Sequence, residues 1–259
     1  MAHLLIFGLG YTAKRIAARM EAAGWKVEAT GSDGSLDFAA HAAVSAAIAR
    51  ASHVLSSVPP ARDGAEPVLD SYGEAIVGKQ LFYLSSTGVY GDTKGAWVDE
   101  SAPTGTGRRT ARADADARWL DIGARVFRLP GIYGPGRSAF ERVASGKAHR
   151  IDLPGQVFSR VHVDDIASGA RLAMLRDAPP GAYNLSDDLP TSQNTLIEHA
   201  CALMGVEPPP LQSPEEAGLS EMAKGFYAEN RRVANGKAKR VLGWKPAYPT
   251  YREGLASLR

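Results

Sequence analysis

The chain opens on an unbroken apolar run, Leu4-Leu5-Ile6-Phe7, closed by Gly8. A short continuous run ended by glycine reads as a strand buried on both faces of a parallel sheet. The period then changes. Ala13, Ile16, Ala17 and Met20 fall at i, i+3, i+4 and i+7, one face of a helix, and Gly24 stands where that helix should stop. Lys26 to Thr30 predicts a second strand, and the alternation in Ser35-Leu36-Asp37-Phe38 predicts a short third one after the turn Gly31-Ser32-Asp33-Gly34. An alanine-rich helix is expected over residues 40–50, and a fourth strand from His53 to Val58, stopped by Pro59 and Pro60. Leu69, Tyr72 and Ile76 space as one helix face behind Pro67, and Lys79 to Ser86 reads as a fifth strand. Helices follow over residues 164–176 and from 192, the latter carrying Leu196, Ala200 and Leu203 and ended by Pro208-Pro209-Pro210. Strands alternating with helices predict an α/β fold.

The first turn carries chemistry. Gly8, Gly10 and Ala13 fit the G-x-G-x-x-G/A dinucleotide fingerprint, with Leu9, Tyr11 and Thr12 filling the loop. Gly8 permits the tight turn, Gly10 lets a pyrophosphate approach the backbone, and Ala13 lets the helix pack close to the strand. The helix start adds unpaired N–H groups and a positive dipole end. The ribose-reading place after the second strand holds Gly31 rather than an acid, while Ser32 could donate to a phosphate and Asp33 fits the turn. NADP and NAD both stay open as cofactor, with a lean to NADP.

Composition narrows the classes. A chain of 259 residues, 44% hydrophobic, can bury one large core or two lobes. Its net charge of +2 comes from scattered Lys and Arg, so no nucleic-acid partner is expected. Cys201 is the single cysteine, which excludes an intrachain disulfide, and the histidines form no spaced ligand pair, so no metal is expected. The first apolar run is too short for a signal peptide and nothing approaches a membrane span, which makes the cytoplasm the expected location, with no membrane partner.

The stretch Ser85-Ser86-Thr87-Gly88-Val89-Tyr90-Gly91-Asp92 resembles the S-S-x-x-V-Y-G-D signature of the extended short-chain dehydrogenase/reductases, the NAD(P)-dependent epimerase/dehydratase group. Asp99 to Thr104 is similar to that family's acidic-Pro loop, and Arg128 to Gly136 to its R-x-x-x-x-Y-G-P-G turn. Arg160 to Ala167, Tyr183 to Asp187, and the tail Asn230 to Asn235 with Leu242-Gly243-Trp244 resemble later blocks. The resemblance implies a Rossmann-type doubly wound parallel sheet with a smaller C-terminal substrate lobe. Residues 1–133, with 157–178 returning, would hold the cofactor, and 134–259 would form mainly the substrate lobe. It also implies cofactor contacts from Ser57, Pro59, Ser85, Pro130 and Ile132, substrate contacts from Thr87, Tyr133, Arg137 and Arg160, and a homodimer through helices near 66–78 and 112–122.

The family's chemistry uses a Ser or Thr with a Y-x-x-x-K pair. Ser86 matches the hydroxyl. The Tyr and Lys are missing: with Ala115-Asp116 set on the family's A-E pair, Arg108 and Arg112 fall at their places. Arginine stays protonated and cannot be a general base, though it can bind an anion. Ser86, Arg108 and Arg112 are therefore the candidate catalytic residues, with Tyr90, Tyr133 and His162 as substitutes that read better as packing residues. Arg137, Arg142 and Arg160 could form an anion-friendly pocket. Two functions stay open: an atypical oxidoreductase, epimerase or dehydratase acting on a small molecule, or a dinucleotide-binding sensor or partner-binding protein without turnover.

Overall fold

The computed structural model describes residues 2–107 and 110–259. The first half runs β1 (His3–Phe7), α1 (Tyr11–Ala22), β2 (Lys26–Ala29), α2 (His41–Arg50), β3 (His53–Ser56), α3 (Pro67–Tyr72) and β4 (Gln80–Ser86). A 3-10 turn over 87–90 leads to β5 (Trp97–Val98), α4 (Thr110–Asp121), β6 (Arg125–Leu129), β7 (Gly131–Tyr133), α5 (Ala139–Ala144) and β8 (Arg150–Ile151). Then come β9 (Arg160–His162), α6 (Val163–Leu175), β10 (Gly181–Asn184), α7 (Gln193–Met204) and β11 (Leu211–Gln212). The chain finishes with α8 (Glu221–Tyr227), β12 (Arg232–Val233), α9 (Gly236–Leu242) and α10 (Tyr251–Ala256).

Six parallel strands form the main sheet in the order β10-β6-β4-β3-β1-β2. Its two faces are packed because strand side chains alternate. Leu4 and Ile6 join α1, α6 and α9 in one core, whereas Leu5 and Phe7 join α2, α3 and α4 in another. That explains the unbroken apolar run of β1, since each fully buried side chain of this size contributes roughly 1.5–3 kcal/mol. The predicted stripe Ala13, Ile16, Ala17 and Met20 is the buried face of α1, which packs on α6. The sheet is doubly wound, as the resemblance implies. Strand order reverses at β1, which lies between β2 and β3, and this switch point opens the crevice where α/β sheets bind ligands.

Three expected elements differ, the first being the helix behind Pro67, which ends at Tyr72 and leaves Ile76 in the turn beyond. Ser35 to Phe38 makes one parallel bridge, Thr30 with Leu36, and no strand. The turn before it is too tight for one: a Cβ on Gly34 would lie 2.3 Å from the Ala29 carbonyl oxygen. Phe38 instead packs edge-on against Phe7 and Tyr72. The helix from 193 stops at Met204 because Gly205 takes a left-handed φ of 70°, before the prolines are reached.

The smaller lobe has its own core, with Ala139, Ala148, Leu196, Ile197, Ala200, Cys201, Tyr251 and Leu255 buried between α5, α7 and α10. The chain's last third also returns to the main unit through β10. A tail segment is stitched to the loop after β4: β12 pairs with β5, the Asn230 carbonyl accepts from Thr93 and Gly95, and Asn230 N–H donates to Asp92.

Candidate active site

A cleft of about 620 Å³ runs from the glycine turn, past the ends of β4 and β6, to the smaller lobe. At its first end Gly8 takes a φ of +84°, and a Cβ there would meet Ser57 Oγ at 3.0 Å. Ser57 Oγ donates to the Gly8 carbonyl, so its side chain pins the turn. Gly10 borders α1 with no side-chain cap, no acid in the first turn, and no atom within 4 Å of where its Cβ would be. The leading N–H groups of α1 thus face open space, which is the cradle a pyrophosphate needs. Gly31 closes against the turn, a Cβ there reaching 3.0 Å from the Leu9 nitrogen. Ser32 lines a separate shallow hollow with Gly31, Gly34 and Leu36. Beside it, Asp33 is ion-paired to Lys14.

Ser86 closes β4. Its Oγ accepts the Gly88 N–H at 3.1 Å, which starts the 3-10 turn and leaves its own proton to donate elsewhere. Ser86, Thr87 and Arg112 border the cleft together. Arg112 is half-buried and donates to Tyr83 Oη at 3.0 Å. Burial pushes the Tyr83 phenol up to about 12, against the pull of Arg112. Arg108 lies outside the described residues.

The signature residues behind this wall serve structure. Ser85 Oγ donates to Asp116 at 2.6 Å, Asp116 pairs with Arg128 at 2.7 Å, and Arg128 donates to Tyr90 Oη at 3.0 Å. Tyr90 Oη in turn donates to Asn184 Oδ1 at 2.8 Å. All five are buried. Much of the serine-rich signature and the Arg128 turn therefore specifies a buried network that ties β4, α4, β6 and β10 together.

The structure brings most expected site residues to the cleft: Gly10, Tyr11, Thr12 and Ala13 from the turn, Ser57, Ser85, Pro130 and Ile132 from the strand ends, and Thr87, Arg137 and Arg160 toward the lobe. Gly8 and Leu9 shape the turn from behind, and Pro59 does not border the cleft. Tyr133 does not reach it. Its ring packs edge-on to His162 at 5.3 Å and its buried hydroxyl is wedged against Gly254 without a hydrogen-bond partner. Burial raises its pKa steeply. His162 is a helix cap whose Nδ1 accepts the Asp164 N–H, and burial lowers its pKa. None of Tyr90, Tyr133 and His162 borders the cleft.

Arg160 is a floor residue. Its guanidinium donates to the carbonyls of Phe158, Thr191 and Ser192 and to Gln193, and burial pulls its pKa down to about 10. The side chains missed from sequence come from the tail: Phe226, Tyr227, Glu229 and Arg231. Burial raises the Tyr227 phenol, and the charges of Arg142 and Arg160 pull it back. Arg231 is held by Glu229 at 2.9 Å and by the Gly91 carbonyl at 2.7 Å. Among the described residues no cluster of His, Cys, Asp and Glu is placed to hold a metal ion, and no helix is long and apolar enough to cross a membrane.

This geometry has counterparts. A functionally unknown conserved protein from Silicibacter pomeroyi is 37% identical, with a TM-score of 0.89 over 100% of this chain and 98% of that one. dTDP-glucose 4,6-dehydratase from Bacillus anthracis, solved in complex with NAD, has a TM-score of 0.78 at 16% identity over 100% of this chain and 95% of that one. A human epimerase family protein, solved with NADPH, has a TM-score of 0.76 at 14% identity over 99% and 98%. The fold is thus that of the extended short-chain dehydrogenase/reductases, the NAD-dependent epimerase/dehydratase group. Within it, the chain belongs to one family with the Silicibacter pomeroyi protein. A 3-diazoavenalumate denitrifying reductase from a Streptomyces species is 32% identical over 161 residues, 56% of this chain and 52% of that protein, so the match spans about half the length of that curated relative. No family model matches the chain.

Proposed function

We propose that the protein is a nicotinamide-dinucleotide-dependent reductase of the atypical short-chain type, active without a Tyr-x-x-x-Lys pair. The observation that carries this is the cleft itself, open from the glycine turn to a wall bearing Ser86, Thr87 and Tyr227. A pure binding protein has no need of that continuity. The likeness to a reductase supports reduction over epimerisation or dehydration.

The residues present fit a dinucleotide. The free α1 N–H groups and the bare Gly10 would hold the pyrophosphate. Arg137, whose guanidinium lies 5.7 Å over the Tyr11 ring, adds charge at the same end. Gly31 stands where an acid would meet a free ribose 2′-hydroxyl, which supports NADP over NAD. When bound, the nicotinamide would supply the hydride. Ser86 would orient the substrate through its free proton, Arg112 would hold positive charge at the cleft wall, and Tyr227 would donate the proton. On this reading residues 1–133 with 157–178 hold the cofactor and chiefly 134–259 bring the substrate. A homodimer through α3 and α4 would cover Val77 and Ile122, which are exposed.

Calorimetric titration with NADPH and NADH, followed by a substrate screen on nicotinamide absorbance, tests the proposal. Binding of NADPH with turnover that falls at least about a hundredfold in Tyr227→Phe or Ser86→Ala is expected. Tight binding with no turnover on any substrate would favour the sensor reading, and binding of neither dinucleotide would remove both.

A further inference from the structure

The lobe end of the cleft has a composition of its own. Phe158 and Tyr227 meet edge-to-face, ring centroids 5.5 Å apart at 87°, and Phe226 borders the same space. Among the described residues five arginines line the cleft, against the single carboxylate of Glu229. Three of those arginines are already engaged. Arg112 donates to Tyr83, Arg160 to its cluster of carbonyls, and Arg231 to Glu229 and Gly91. Arg137 lies over Tyr11 at the cofactor end. Among the described residues neither Arg137 nor Arg142 has a side-chain hydrogen bond or ion pair, but Arg137 lies on Tyr11, which leaves Arg142, on α5, as the open guanidinium at the lobe end. It projects from α5 close enough to Tyr227 for its charge to bear on that phenol.

From this we infer that the substrate is a small aromatic carboxylate, its ring held by Phe158 and Tyr227 and its carboxylate by Arg142. The inference rests on the reductase reading for its cofactor but not for its binding site. A guanidinium offers a planar fork matched to a carboxylate. Edge-to-face aromatic walls favour a flat π-system over an aliphatic one. Size points the same way, because 620 Å³ must take the nicotinamide end and the substrate together. Pockets of roughly 300–1,000 Å³ are usual for one drug-sized ligand, so the space suits a small substrate.

The test is calorimetric titration of the NADPH-loaded protein with benzoate, benzamide, cyclohexanecarboxylate and inorganic phosphate. Benzoate should bind at least about tenfold more tightly than each of the others. Arg142→Gln should weaken benzoate about tenfold while leaving benzamide unchanged. Tyr227→Leu should erase the preference for benzoate over cyclohexanecarboxylate. Arg142 is exposed, and an unchanged melting temperature in that variant confirms that the fold is intact. Equal binding of phosphate and benzoate, or an unaltered benzoate affinity in Arg142→Gln, would overturn the inference. If NADPH itself fails to bind, the reductase reading falls, and the same benzoate series on the cofactor-free protein still decides the substrate site.

Discussion

Asp187 follows β10, 2% exposed, and neither carboxylate oxygen closes a good hydrogen bond. Burial pushes it up to about 7 from an ordinary 3.8, against the opposing pull of Arg160 and of the Leu189 N–H. The difference is about 3 units, so at about 1.36 kcal/mol per unit the ionised form is disfavoured in the fold by at most about 4 kcal/mol. The folded pKa is the higher one. Between about pH 4 and 7 the native state therefore holds a proton that the unfolded chain has released, and unfolding free energy falls as pH rises. Asp187→Asn keeps the shape and removes the titration. Urea melts of both proteins at half-unit steps from pH 4.5 to 8.5 give the difference in stability, in which all other titrating groups cancel. The advantage of the Asn variant should be small at pH 4.5, grow through neutrality, and level off above pH 7.5 at up to about 4 kcal/mol. A difference that stays flat with pH, or shrinks as pH rises, would refute the reasoning.

Gly10→Leu should project into the open cradle, weakening NADPH at least tenfold by calorimetry and moving the melting temperature by no more than about 2 °C, because φ is −84° and nothing lies within 4 Å. Gly8→Ala should instead cost about 1–2 kcal/mol in a urea melt, since its φ of +84° suits glycine alone. Asp116→Ala strands Arg128 in the interior and should cost about 3–5 kcal/mol by the same melt. Asn230→Ala removes the acceptor for Val157 N–H and the donor to Gly155, so residues 221–232 should be cut faster in limited proteolysis, with global stability falling by about 1–2 kcal/mol.

The sheet was readable because its signal is local. β1 is buried on both faces and therefore apolar throughout, and α1 repeats every 3.6 residues, so pattern alone locates both. Ser35 to Phe38 shows the limit. Alternation reports which side chains are buried but not what covers them, and here Phe38 is buried by Phe7 and Tyr72 rather than by a sheet. The glycine turn and Ser86 were legible through spacing. Tyr133 and Tyr227 were not: the first lies in a turn signature yet points into the interior, and the second sits in a tail with no periodic mark. Tyr227 reaches the cleft because residues 230–233 are tied to residues 92–98, a pairing that nothing local to either segment encodes.

That tie has a consequence for synthesis. The glycine turn precedes the far wall along the chain, and the apolar face of α1 is covered once α6 has been made. The opposite wall waits. Tyr227 and Arg231 are translated more than a hundred residues after the loop that anchors them, and closing such a loop is slow compared with local helix formation. A nascent chain therefore reaches α6, which covers the apolar face of α1, before the far wall of the cleft has been made. A dinucleotide that bound the glycine turn during that interval would stabilise it, so cofactor supply would act on yield.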